Sequence, residues 1–173
     1  VDFQNCNIPQ SWNYTVGNHE IIVGIIDSGI HFNHPDLQNN VFINENEIPN
    51  DGIDNDNNGY IDDWRGWDFV DAPELYSIAL GDFTEQDNDA SDELNHGTHV
   101  AGIIAADTNN NEGIGGICWN VSLLPIRAGF KTIDGMGYLQ DDDAAAGIIY
   151  AADMGAEIIN ISWGDVNFSQ IIA

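Results

Sequence analysis

Positive charge is nearly missing from this chain. Only 3 Lys plus Arg stand against 29 Asp plus Glu in 173 residues, a formal net charge of −26. So acidic a surface repels phosphate groups, which excludes nucleic acid and anionic membranes as partners. Cysteine is scarce too. Cys6 and Cys118 allow one internal disulfide, but their spacing does not say whether it forms. Cys118 sits among apolar neighbours, Gly116-Ile117-Cys118-Trp119, and reads as a buried, inert thiol. No run approaches the roughly 20 apolar residues of a membrane-spanning helix. Nor does a basic-then-apolar leader follow Val1, so any targeting segment is expected to have been removed or not included.

What remains is enough chain for one domain with a real core. Ile21-Ile22-Val23-Gly24-Ile25-Ile26 is an apolar run ending at Asp27 and reads, over 20–27, as a buried strand. Residues 33–95 are acidic and rich in Asn and Gly, with scattered aromatics and no periodicity. Such a tract is expected to be functional or disordered rather than core. From His96 the composition changes to small and apolar, fitting a helix packed closely on a sheet. Val121–Ile126 reads as a second strand and Glu157–Ser162 as a third. Between them, Ala145, Ile148, Ile149 and Ala152 follow helical spacing. Asp141-Asp142-Asp143 precede that helix, where acids complement its dipole, and Gly155 is a plausible C-cap. Continuous apolar strands alternating with helices predict an α/β fold, a parallel sheet with helices on both faces.

Two segments carry chemistry. Asp27-Ser28-Gly29 places an acid at a strand end, and His96-Gly97-Thr98-His99-Val100-Ala101-Gly102 places an imidazole at a helix start. A carboxylate that holds one imidazole nitrogen fixes the tautomer and leaves the other free to take a proton. A separate signal is Asp54-Asn55-Asp56-Asn57-Asn58-Gly59. In this spacing alternate oxygens face one cation and glycine permits the turn, as at the start of an EF-hand loop. Asp54, Asp56 and Asn58 would be side-chain ligands, Tyr60 a carbonyl ligand, and Asp62 or Asp63 a further carboxylate. The helices and terminal glutamate of a true EF-hand are missing.

The Asp27 and His96 motifs resemble those of the subtilisin-like serine proteases, the subtilases. Other family-like segments follow in order: Asp27–Leu37 (DSGIHFNHPDL), Gly66–Val70 (GWDFV), Gly113–Ile117 (GIGGI) and Ile159–Gly164 (INISWG). The resemblance implies that Asp27 orients, that His96 is the general base and that His99 is structural. It further implies a secreted serine endopeptidase, acting on polypeptides through an acyl-enzyme and associating with its own propeptide. Gly135-Met136-Gly137-Tyr138 and Ser162-Trp163-Gly164 resemble the two segments that flank an extended substrate, which pairs there as an added strand. The positions matching a structural calcium site of the family are Asp36, Asp107, Asn110, Glu112 and Ile114, mostly through backbone oxygen.

No serine here has the context of the family nucleophile. The chain is therefore expected to be the N-terminal portion of a peptidase domain, with an acidic, calcium-type insertion at about 44–95. By itself it would be inactive, its partner being the remainder of the same domain. A catalytically inactive subtilase-like domain, or a calcium-dependent binding or structural domain, is the alternative.

Overall fold

The computed structural model describes residues 5–164 and Ser169. In chain order the elements are α1 (Ile8–Ser11), β1 (Gly17–Asp27), β2 (Trp67–Asp68), a 3-10 turn (Pro73–Leu75), β3 (Ala79–Leu80) and α2 (His96–Ala105). They continue with β4 (Asn120–Arg127), β5 (Gly129–Thr132), β6 (Gly137–Leu139), α3 (Asp141–Asp153) and β7 (Ile158–Ile161). No helix among the described residues is long and apolar enough to cross a membrane.

The main sheet has the order β2-β4-β1-β7, and all its pairings are parallel. β1 is central: Asp27 pairs with Arg127 of β4, and Ile26 with Ile161 of β7. Alternation along β1 divides its side chains between two cores. Val23 and Ile25 join Val121, Leu123, Ala101 and Ala105 on the α2 face. Ile26 joins Leu124, Ile126, Phe69, Tyr150 and Ala151 on the α3 face. Burial of the C-terminal halves of β1 and β4 on both sides explains why those stretches are nearly all apolar, while edge strand β7 leaves Ile158 and Ile161 exposed. The α/β architecture expected from the sequence is the one observed, with element ends shifted by a few residues. Close helix-to-sheet approach needs small residues: a Cβ on Gly147 would lie 2.8 Å from Ile126 Cγ2.

One expectation is corrected. The tract at 33–95 is not set apart from the core. It supplies β2 and β3, and its Phe69, Val70, Ala72 and Ala79 are buried, the last three packing with Phe130. Its lack of periodicity reflects two-residue strands and single inserted side chains rather than any continuous amphipathic element. The stretch after β4, for which no element was expected, supplies β5 and β6 of a second, antiparallel sheet of order β3-β5-β6. Both cysteines are free thiols, Cys6 exposed and Cys118 half-buried, and burial pushes the Cys118 thiol up.

Candidate active site

Asp27 and His96 meet at the carboxyl end of the central strand, the position where open parallel sheets form their sites. His96 Nδ1 lies 2.7 Å from Asp27 Oδ1. The carboxylate is buried at 4 % exposure, whereas the imidazole is 50 % exposed. Asp27 Oδ1 also accepts from the Ser28 amide at 2.8 Å, which fixes the carboxylate's rotation. Its Oδ2 is buried and has no hydrogen-bond partner among the described residues. The acid is thus held by the fold while the ring's far edge faces solvent.

Gly29 and Gly97 of these motifs are each explained by a close backbone approach. A Cβ on Gly97 would sit 2.2 Å from the Gly29 carbonyl oxygen and 3.1 Å from Asp27 Cβ. Gly29 itself has φ of +96° and lies against the Ala90 carbonyl. The turn after β1 and the first turn of α2 therefore approach closely at their backbones, which brings Asp27 within reach of His96.

An open cleft of about 430 Å³ runs past this pair. One wall is Gly137, Tyr138 and Leu139 of β6; another is Ser162, Trp163 and Gly164, following β7. Trp163 Nε1 donates to the Ile26 carbonyl at 3.2 Å, anchoring that segment to β1. Of the predicted substrate residues, Gly137, Ser162, Trp163 and Gly164 line the cleft. Gly135 and Met136 instead form the tip of the β5–β6 hairpin, where the Met136 carbonyl accepts from the Thr132 amide at 2.9 Å. Leu94 and Asp141 also line the cleft and were missed from sequence, because neither sits in a recognisable spacing. The serines on its walls are engaged: Ser28 Oγ bonds Asp92 and Ser162 Oγ bonds Asn160, each at 2.8 Å.

The acidic loop closes on itself through its own side chains. Asp54 accepts from the Asn58 and Gly59 amides, Asp56 from the Asn58 amide, and Asn58 Oδ1 from the Tyr60 amide. The carboxylates of Glu47, Asp54 and Asp56 converge within 4.8 Å of one another. Glu47 is only 5 % exposed and was missed because it precedes the motif by seven residues. Three anions so close, with hard oxygen donors, fit a calcium-sized cation. Asp62 and Asp63 are directed elsewhere. Asp62 accepts from the Asp51 and Gly52 amides, and Asp63 from Asn44, Asn58 and Tyr150.

The second predicted group also assembles. Asp36 accepts from Asn110 Nδ2 at 2.7 Å and from the Ile114 amide at 2.9 Å. The Asp36 carbonyl accepts from the Asp107 amide at 2.7 Å. Glu112 contributes its amide, to Asn110 Oδ1, while the residue is exposed. A further convergence of Asp68, Asp82 and Asp87 already contains a cation, since the buried Arg127 guanidinium pairs with Asp68 and Glu93.

Comparison with known proteins identifies the family. The family model described as the subtilase family matches residues 18–171. The chain belongs to the subtilase family. It is 37 % identical to the thermophilic serine proteinase of Bacillus sp. (strain AK1), over 93 % of this chain and 30 % of that protein. It is 35 % identical to the halolysin-like extracellular serine protease Nep of Natrialba magadii, over 93 % of this chain and 24 % of that protein. A solved protease of Pseudoalteromonas arctica superposes with a TM-score of 0.68 at 26 % identity, covering 96 % of this chain and 48 % of that one. The chain thus spans less than half the length of these subtilase relatives.

Proposed function

We propose that the chain is the N-terminal portion of the catalytic domain of a secreted, calcium-stabilised serine endopeptidase of the subtilisin type. The observation that carries this is the 2.7 Å contact between a buried Asp27 and a half-exposed His96 beside an open cleft. Asp27 holds the imidazole in the tautomer that leaves Nε2 unprotonated. Nε2 takes the proton of an attacking serine hydroxyl and returns it to the leaving amine, through an acyl-enzyme. No serine of this chain has the sequence context of the family nucleophile, and that hydroxyl would come from the remainder of the peptidase domain. The polypeptide substrate lies extended between the β6 edge and residues 162–164, pairing with main-chain groups as an added strand.

Residues 44–95 are the acidic insertion, and Glu47, Asp54 and Asp56 would hold calcium there, with Asn58 and the Tyr60 carbonyl nearby in sequence. Asp36, Asp107, Asn110 and Ile114 would frame a second calcium site. Bound calcium neutralises the converging carboxylates and rigidifies the loops. Extracellular placement is supported by the Natrialba relative, an extracellular serine protease, and a propeptide is a further partner of this reading.

The decisive experiment is labelling of the full-length protein with a serine-directed fluorophosphonate. Labelling that disappears in His96→Ala is expected; no labelling of the wild type would remove the proteolytic reading. Isothermal titration with calcium tests the loop. Binding unchanged in Asp54→Ala and Asp56→Ala would dissociate calcium from these residues.

A further inference from the structure

A single buried carboxylate joins the two motifs of the cleft. Asp92 is 3 % exposed and accepts five hydrogen bonds. Its Oδ1 takes the Leu94 amide, the Asn95 amide and Ser28 Oγ, each at 2.8 Å. Its Oδ2 takes the Thr98 amide at 2.9 Å and Thr98 Oγ1 at 2.6 Å. Each hydroxyl then passes the connection on. Ser28 Oγ accepts from the Gly97 amide at 3.0 Å, and Thr98 Oγ1 accepts from the His31 amide at 3.1 Å.

The pattern forms two arms that cross between segments. One arm runs from α2 through Ser28, next to Asp27, back to Asp92. The other runs from the His31 amide, on the turn after β1, through Thr98 of α2 to Asp92. Asp92 also performs the task that α2's own cap leaves undone. Asn95, at the N-cap, has φ of +70° and makes no side-chain cap bond. The first-turn amides of Gly97 and Thr98 are instead satisfied by Ser28 and Asp92. All five neighbours of Asp92 donate, so only a group with two acceptor oxygens suits the position. An amide would turn its NH2 against either two or three donors.

Resting on the reading of Asp27 and His96 as a catalytic pair, we propose that Asp92 is the positioning residue of that pair. It clamps the turn that follows Asp27 to the helix start that carries His96, and so sets the distance between carboxylate and imidazole. It touches neither substrate nor the reacting atoms. Its influence passes through backbone register, where a displacement of about 1 Å is enough to cost about 100-fold in rate.

The test uses the full-length protein. In Asp92→Asn, kcat is expected to fall about 10-fold to 100-fold with KM within about 2-fold of wild type. The low-field proton resonance of the His96–Asp27 hydrogen bond should shift or broaden. If Asp92→Asn does not fold, Thr98→Val removes one arm alone and should show the same split to a smaller degree. Thr98→Ser, which keeps the hydroxyl, should restore the rate. Variants that melt earlier but keep wild-type kcat and the wild-type proton signal below their melting temperature would overturn the proposal, leaving Asp92 a structural residue. If the wild type hydrolyses no peptide, the catalytic reading fails instead. The clamp is then judged on the proton signal, whose persistence unchanged in Asp92→Asn would overturn it.

Discussion

The phenol of Tyr150, on α3, donates to Asp63 Oδ2 at 2.8 Å in the protein interior. Tyr60 packs edge-on against the same Tyr150 ring at 4.9 Å between centroids. The acidic loop is thereby fastened to the helix covering the α3 face of the sheet. Burial raises the pKa of both partners. In Tyr150→Phe the Asp63 carboxylate loses one of its three side-chain donors. The expected cost is about 1–3 kcal/mol of stability, together with weaker calcium binding, read by calorimetry of the full-length protein with and without calcium.

Asp27→Asn preserves shape but offers the imidazole an amide. The expected result is a loss of about 10⁴ in kcat, the scale set by losing the correct tautomer. Steady-state kinetics on a peptide substrate measure it, and a loss below about 10-fold would contradict the role assigned to Asp27.

Gly97→Ala tests the backbone contact between the motifs. The added methyl would overlap the Gly29 carbonyl oxygen, at 2.2 Å. Neither atom belongs to a flexible side chain, so the helix start must move. Loss of more than about 1–3 kcal/mol and of most activity is expected, monitored by thermal unfolding and by peptide hydrolysis.

Asp143 provides a pH dependence. It is buried on α3, and its pKa rises from 3.8 to about 8, through burial first and then the charges of Asp142, Asp71, Asp68 and Glu74. An acid whose folded pKa is raised binds more protons folded than unfolded. Its contribution to stability therefore declines as pH rises from near 4 toward 8. Asp143→Asn should flatten that decline and leave Tm at pH 8 higher by about 2–4 °C. An unaltered pH profile of Tm would contradict the assignment.

Substrate charge should matter as well. The cleft carries Asp141 within a chain of net charge −26. Of its three basic residues, Arg127 is buried in ion pairs. Peptides bearing Lys or Arg should be cleaved with higher kcat/KM than matched Glu peptides, and the ratio should shrink as salt screens the field. Paired fluorogenic peptides at low and high salt measure this. Asp141→Asn should narrow the gap.

How far the sequence could be read follows from how local each feature is. β1, β4, α2 and α3 announce themselves through apolar runs and helical spacing. Asp27 and His96 sit at the ends of such elements within distinctive motifs. Asp92 was hidden among Asp87, Asp89 and Glu93, since nothing in a run of acids tells which one the fold will bury. Glu47 was missed because it meets Asp54 and Asp56 only after the loop folds back. Spacing also grouped Asp62 and Asp63 with the ion loop. Asp62 turns to backbone amides, and Asp63 accepts from Asn44, from Asn58 of the loop and from Tyr150, a partner 87 positions away. The β5–β6 hairpin escaped because strands of three or four residues, broken by glycine, show no usable period.

The tract between the two motifs enters and leaves at fixed points. It departs beside β4, where the Phe42 amide donates to the Leu123 carbonyl at 2.8 Å, and its far end is tied down at Asp92. Between those moorings, closing a longer flexible loop costs only about 0.6 kcal/mol per doubling of its length. Sequence distance is therefore decoupled from spatial distance here. The 69 positions separating Asp27 from His96 include core strands that must stay, but at the exposed tip near Ile53 an engineer can lengthen the chain or insert a reporter domain without resetting the 2.7 Å between them.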